Sequence, residues 1–310
     1  MKSLRQILAS ATRETDHPWA LATLVCTTGS TYRKPGARLL VAPDGTTTGV
    51  LSGGCLEEEI GRIGERVMES GIHEFVEFDT RKLYGCAGTL GIYLEKIPAA
   101  GTVGNFLTEM ASRIEARHIC RTRTVFSGNG SSEILPDKAL VVKAPDTFVQ
   151  TVPLPVRLLL FGSGPEISPI SLFATGLGWS VEVHCHPDEL PDDFVPDDQT
   201  AAVVMTHNFG RDLASLNRLL PMELPYLGLL GPKRRHAELI ARFQEYRDLV
   251  PAWLDTLHAP AGLDIGSESP EEIALSIVSE AAAILAKREG GSLSARAGSV
   301  HFPEAISRKA

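Results

Sequence analysis

The chain has 310 residues, 43% of them hydrophobic and 22% charged, a globular balance that excludes a disordered polypeptide and can fill about two domain cores. A net charge of −8 argues against a general nucleic-acid binder and against attraction to anionic membranes. No apolar run approaches the roughly 18 residues of a membrane span. Residues 1–15 mix Lys2, Arg5, Arg13 and Glu14 with apolar positions and lack the features of a signal peptide, so the expected location is cytoplasmic.

In chain order, residues 21–28 (LATLVCTT) read as a strand, and 38–42 and 46–51 as a hairpin across Pro43-Asp44-Gly45. Residues 55–69 carry Leu56, Ile60, Ile63 and Val67 at helical spacing. Strands follow at 73–79 and 91–97, and a helix at 102–117. Residues 118–155 read as a strand-rich connection, with a domain boundary near Pro153-Leu154-Pro155. Beyond it the pattern turns to alternating strands and helices, the rhythm of a parallel sheet. Strands are expected at 156–161, 180–185, 201–206 and 226–230, and helices at 167–177, 212–220, 234–246 and 270–287. Ser269 with Glu272 gives the last helix a capping-box start. Residues 291–310 read as a tail. The fold class is α/β: an N-terminal α/β domain (1–117), the connection, and a C-terminal Rossmann-like parallel-sheet domain (156–290).

Five cysteines, Cys26, Cys55, Cys86, Cys120 and Cys185, are odd in number and widely spaced, with no CxxC or HExxH. That is neither a disulfide framework nor a structural zinc site. Cys55 follows Gly53-Gly54 and opens a helix, where the helix dipole favours a thiolate. Cys86 lies in a second glycine loop, Tyr84-Gly85-Cys86-Ala87-Gly88. Together the two thiols could clamp one reactive centre; the plainer alternative is small residues packed under turns. Ser30, Arg33, Lys34 and Arg38 belong to a hydroxyl- and cation-rich segment suited to a phosphate or other polyanion, or simply to a solvated basic loop.

Gly162-Ser163-Gly164 stands between a strand and a helix, where a dinucleotide-binding turn would lie. The match is incomplete. The third glycine position is Ile167, Pro165 removes an amide donor, and Glu166 brings a negative charge to the helix start. The next strand ends His184-Cys185-His186, with no acid expected at its tip for a ribose. His207 follows the third strand, and Lys233, Arg234 and Arg235 follow the fourth, beyond the strand ends where ligands of such sheets sit. The loop 258–266 is placed to close the same crevice.

Taken as a set, GSTYRKPGARLLV (29–41), SGGCLEEEI (52–60), YGCAG (84–88), VVMTHNFGRD (203–212), YLGLLGPKRRHAEL (226–239) and HAPAGLDIGSESPEEIALSIVSE (258–280) resemble the XdhC/CoxI family of molybdenum-enzyme accessory proteins. The resemblance implies an N-terminal XdhC/CoxI domain followed by a Rossmann-like domain. It implies a maturation factor rather than a catalyst. Such a protein binds the molybdopterin-type molybdenum cofactor, in its simple or dinucleotide form, supports its sulfuration and delivers it to a xanthine dehydrogenase-like apoenzyme. A cysteine desulfurase and a second copy of the chain are the other implied partners. By the same resemblance Cys55 and Cys86 would contact the molybdenum. Gly53, Gly54, Gly162, Gly164 and His207 would line the cofactor site, and Ser30, Arg33, Lys34, Arg38, Lys233 and Arg234 would hold the anionic tail. The chain departs from the family pattern at Pro165 and Cys185, which puts a nucleotide role of the second domain in question. The rival from another class is an NAD(P)-dependent oxidoreductase built on the second domain, with His207 as proton donor; a scaffold that only tethers protein partners is the third.

Overall fold

The computed structural model describes residues 2–13, 17–29, 31–54, 56–80, 88–100, 102–140, 144–245 and 251–295. The chain divides into two compact units, Met1–Pro155 and Val156–Ala310.

The first unit opens with α1 (Lys2–Ala11), a helix whose apolar positions bury Ile7, Leu8 and Ala11. The sequence does not announce it, because it has no acidic residue in its first turn and no basic residue in its last. A five-stranded antiparallel sheet follows, built from β1 (Trp19–Gly29), β2 (Arg38–Val41), β3 (Thr47–Gly49), β4 (Glu74–Asp79) and β5 (Gly88–Ile97) in the order β3-β2-β1-β5-β4. The expected hairpin is β2–β3. Its turn is fixed by Asp44, whose carboxylate accepts from the Thr46 N–H at 3.0 Å and the Thr46 hydroxyl at 2.6 Å. α2 (Glu57–Ser70) runs between β3 and β4 and ends on Gly71 in the left-handed conformation. It packs Ile60, Ile63 and Val67 against Ala20, Leu24 and Ile92 on one face of the sheet.

The other face is covered by α1, by α3 (Phe106–Glu115), and by Cys120 and Val152 of a second sheet. Asn105 caps α3, accepting from the Leu107 and Thr108 amides. Here the segment expected as a connection is more than that. β6 (Cys120–Val125), β7 (Ser132–Leu135) and β8 (Thr147–Val152) form an antiparallel sheet in the order β7-β6-β8, and it shares the core of the first unit. Alternating burial along β6 puts Cys120, Thr122 and Thr124 inside and Arg121 and Arg123 outward.

The second unit is a parallel five-stranded sheet of β9 (Arg157–Gly162), β10 (Ser180–His184), β11 (Thr200–Met205), β12 (Tyr226–Leu229) and β13 (Leu257–His258), ordered β10-β9-β11-β12-β13. The short last strand is not among those expected from sequence. β9, β11 and β12 are buried along nearly their whole length, as strands covered on both faces must be. α4 (Ile167–Gly176) and α8 (Pro270–Leu285) cover one face around Leu158, Leu160 and Val203. α5 (Phe209–Leu219), α6 (Lys233–Gln244) and α7 (Pro251–Asp255) lie on the chain between β11 and β13. Leu216, Leu239 and Phe243 from α5 and α6 pack on the opposite face. α8 starts with the capping box expected at Ser269 and Glu272. The sheet is the Rossmann-like one expected, reversing direction of strand succession beside β9.

Candidate functional site

In the first unit, three glycine-bearing segments leave the sheet at one end. Gly29, the last residue of β1, pairs with Gly88, the first of β5. Gly49, the last of β3, pairs with Leu39 near the start of β2. From that end the 31–37 loop folds back on β1, the Gly36 amide donating to the Leu24 carbonyl at 2.7 Å. It carries Tyr32, two-thirds exposed, against the second loop: its ring lies 3.7 Å from where a β-carbon on Gly53 would stand. Ser30, Cys55 and Cys86 lie outside the described residues.

What shapes the Gly53-Gly54 turn is Glu57, in the first turn of α2. Its carboxylate accepts from the backbone amides of Leu51, Ser52, Gly54 and Leu56 at 3.1, 2.9, 3.0 and 3.1 Å, and from the Ser52 hydroxyl at 2.7 Å. Burial alone would raise the Glu57 pKa, but these donors outweigh it and hold the group below its ordinary value. Gly53 and Gly54 adopt φ of +79° and +109°, so the turn needs glycine at both places. No atom lies within 4 Å of the β-carbon position of Gly54, so this side of the turn is open. Sequence reading does not single out Glu57, because its role depends on four backbone donors brought around it by the turn.

The cationic segment splits. Arg33 is half-buried and Lys34 exposed in the 31–37 loop. Arg38, expected with them, points into the protein. It is only 4% exposed, donates to Gln150 Oε1 at 3.1 Å and Thr122 Oγ1 at 3.2 Å, and is deprived of water enough to pull its pKa down to about 10. The buried Glu95 carboxylate opposes that shift and itself accepts from the Ser132 amide at 2.7 Å and from the Ser132 hydroxyl. Arg38 therefore joins the two sheets of the first unit and also donates to the Gly36 carbonyl at 3.4 Å. It opens a strand buried at all four positions, and the sequence gives no sign that its guanidinium is carried inside.

In the second unit, Gly162 and Gly164 form the expected strand-to-helix turn, with different duties. A β-carbon on Gly162 would stand 2.4 Å from the Met205 carbonyl oxygen, so glycine is required where β9 and β11 approach. At Gly164 the neighbours are side-chain ends: Glu166 Oε2 at 2.5 Å and His207 Nε2 at 2.7 Å from the β-carbon position. Glu166 is buried at the N-cap of α4 and faces His207 Nε2 at 3.4 Å. The protein's own carboxylate thus lies against the turn, at the head of α4. At the tip of β10, where no acid was expected, Glu189 folds back and accepts the Cys185 amide at 3.0 Å.

Beyond β11 and β12 a crevice of about 460 Å³ is lined by His207, Phe209, Leu230, Gly231, Pro232, Arg234, Arg235 and Glu238. Of the expected residues it brings together His207 and Arg234; Lys233 is exposed at the same helix start. Its wall is set by the buried Asp212, which accepts from the Thr206 hydroxyl at 2.6 Å and pairs with Arg235 at 2.6 Å. The 258–266 loop, expected to close this crevice, is absent from that lining and is strapped to α8. Glu280 accepts from the Gly262 amide and the Tyr226 hydroxyl, both at 2.7 Å, and faces His258 Nδ1 at 3.2 Å; the Ser276 hydroxyl donates to the Leu263 carbonyl at 2.5 Å. Burial, then the Glu280 charge, pushes the Tyr226 pKa well up, so the phenol stays a donor. Among the described residues no group of three His, Cys, Asp or Glu is arranged to hold a metal ion, and no helix is long and apolar enough to cross a membrane.

A glycine- and hydroxyl-edged α/β unit followed by a Rossmann-like unit is a two-domain architecture, and family models match it in series. The model of the XdhC and CoxI family matches residues 12–79 and that of the XdhC Rossmann domain matches residues 158–281, so the chain belongs to the XdhC and CoxI family. It is similar to a probable xanthine dehydrogenase subunit of Bacillus subtilis, 28% identical over 84% of this chain and 91% of that protein. It is also similar to the molybdenum cofactor insertion chaperone PaoD of Escherichia coli, 25% identical over 87% of this chain and 84% of that one. The crystal structure of a xanthine dehydrogenase from Bacillus halodurans superposes with a TM-score of 0.77 at 26% identity, covering 93% of this chain and 97% of that one.

Proposed function

We propose that the chain is an accessory protein of xanthine dehydrogenase-like molybdoenzymes: it binds molybdenum cofactor, shields it while a terminal oxo ligand is exchanged for sulfido, and hands it to the apoenzyme. A relative named as an insertion chaperone, similar over most of both chains, supports the cofactor-related role. The observation that carries the reading onto this chain is the single loop end of the first unit. There Glu57 gathers the amides around Gly53-Gly54, and the exposed Tyr32 ring lies alongside. An aromatic face beside an open glycine turn suits a flat pterin. Soft thiolates from Cys55 and Cys86 are matched to molybdenum. Arg33 and Lys34 supply charge for a phosphate. Arg38 leaves this set and becomes a structural residue. A cysteine desulfurase as sulfur donor, and a homodimeric state, belong to the same reading.

The test is co-purification from cells that make the cofactor, with molybdenum and oxidised-pterin fluorescence measured per protomer. Near-stoichiometric pterin, reduced in Cys55→Ala or Cys86→Ala, is the expected result. Pterin-free protein from cofactor-replete cells would overturn the carrier role, and unchanged retention in both variants would remove the thiols from it. An NAD(P)-dependent activity has the carboxylate of Glu166 against it; enhancement of NADH fluorescence on adding the protein would revive it.

A further inference from the structure

Three helices of the second unit, α4, α5 and α6, start just beyond the carboxyl ends of parallel strands, where the dipole and free amides of a helix favour an anion. Two of the three starts carry a buried carboxylate of the chain. Glu166 sits buried at the head of α4, over Gly164. Asp212, in the first turn of α5, accepts from the Thr206 amide and hydroxyl. The third differs. α6 has no acidic residue in its first turn, its N-cap is Pro232, which makes no side-chain cap, and its first three residues are Lys233, Arg234 and Arg235.

A buried polar group points the same way. His236 is 4% exposed, and neither of its ring nitrogens has a hydrogen-bond partner. Burial lowers its pKa; the Leu230 and Ala259 carbonyls oppose that shift, though neither meets hydrogen-bond geometry. Its Nε2 lies 3.4 Å from where a β-carbon on Gly231 would stand, and Gly231 lines the crevice. Gly231 has no side chain to separate that ring from an occupant. A buried imidazole N–H without an acceptor is costly, and a ligand oxygen in the crevice would relieve it.

We propose that the crevice at the start of α6 is a phosphate-monoester site, formed by Lys233, Arg234, Arg235, the α6 amides and His236 behind Gly231, and that the Gly162–Gly164 turn binds no phosphate. Arg235 is anchored by the buried Asp212 at 2.6 Å, so it is pre-positioned on the wall. Arg234 pairs with Glu238 at 3.0 Å, but both are well exposed, and such a pair yields readily to a dianion. Phe209 and Leu230 give the organic part of an ester an apolar wall, so an ester binds more tightly than inorganic phosphate. The ligand class stands apart from the carrier reading: any small phosphate monoester with an apolar body fits the crevice.

The test is calorimetric titration of the full chain with phenyl phosphate and with inorganic phosphate. Phenyl phosphate is expected to bind with a Kd on the order of 1 mM or tighter. Lys233→Ala/Arg234→Ala, both at exposed positions, is expected to weaken it by about tenfold, with an unchanged circular dichroism spectrum and Tm. Glu166→Gln is expected to leave it within about threefold. Absence of binding up to about 10 mM, or an unaltered affinity in the double variant, overturns the site. So does tightening by Glu166→Gln with the double variant unaffected, which would move the anion to Gly162–Gly164. Pterin content separates this from the carrier reading. Phenyl phosphate binding in a chain that never retains pterin sinks the carrier and keeps the crevice; pterin retention without phenyl phosphate binding does the reverse.

Discussion

The two glycine turns look alike in sequence and are used differently. Each follows a strand, leads into a helix and is followed by a glutamate within three residues. In the first unit Glu57 turns back and accepts four amides of its own turn. In the second, Glu166 lies over Gly164 and faces His207 instead of gathering amides. One carboxylate builds a loop; the other lies against one. A glycine-rich strand-to-helix turn is therefore not a phosphate site until the acceptor of its amides is known.

The same contrast holds for the cations. Arg38 is consumed inside the first unit, whereas Arg234 and Arg235 line a crevice of the second. The largest expected effect comes from breaking the first of these. Arg38→Ala removes a fully buried side chain from between the two sheets, leaves Thr122 and Gln150 without their donor, and should destabilise the first unit by about 3–5 kcal/mol. Denaturant unfolding of the full chain checks it; if the variant is as stable as the parent and only loses cofactor, Arg38 is a ligand residue after all. Next in size is Gly162→Ala, where a methyl group meets the Met205 carbonyl at 2.4 Å on a backbone with φ of +152°. A loss of about 2–4 kcal/mol is expected in the second unit, read by the same unfolding measurement.

Glu57→Gln should cost the first unit about 2 kcal/mol at neutral pH, less than the sum of its hydrogen bonds because the turn is part-exposed. The pH dependence follows from the lowered pKa of Glu57. Its contribution is fully present above the ordinary carboxylate range and is lost as pH falls through the folded-state value. The stability gap between parent and Glu57→Gln is therefore expected to persist into the ordinary carboxylate range and to close only below it, once the folded-state group protonates. A gap that stays constant from pH 7 to the acid limit would mean that the carboxylate charge does not hold the turn.

The elements with strong patterns are legible in the sequence: the buried runs of β9, β11 and β12, the periodic α2, and the capping box of α8. α1, β13 and the assembly of β6, β7 and β8 into a sheet are not. α1 has helical spacing at Leu4, Ile7, Leu8 and Ala11 but no acid marking its start and no base marking its end, β13 is two residues long, and whether strands at 120–152 connect or pack is decided by partners such as Ile7 and Leu107 far off in sequence. The loops that could carry chemistry stand out through their glycines and cations. Of the carboxylates that govern them, Glu166 is legible as a charge at a helix start, but Glu57, Glu189 and Glu280 are not. Each acts on backbone or side-chain groups whose positions exist only once the turn is formed. Arg38 falls on the unexpected side for a related reason: its strand is buried at every position, and its partners Thr122 and Gln150 lie far off in sequence.

The smallest expected effect is the sharpest test of the comparison. Gly164 sits where a dinucleotide-binding turn uses glycine to admit a pyrophosphate, and in such a turn Gly→Ala abolishes binding. Here a methyl group on Gly164 would meet only the ends of two side chains, Glu166 and His207, and its φ is not among the left-handed ones. His207 is exposed and can swing away. Gly164→Ala should therefore change stability by less than about 1 kcal/mol and leave phenyl phosphate affinity and pterin content at parental values. A loss of pterin in Gly164→Ala with the Tm unchanged would show the backbone at this turn to be a ligand surface. The two glycine turns would then be alike in use as well as in sequence.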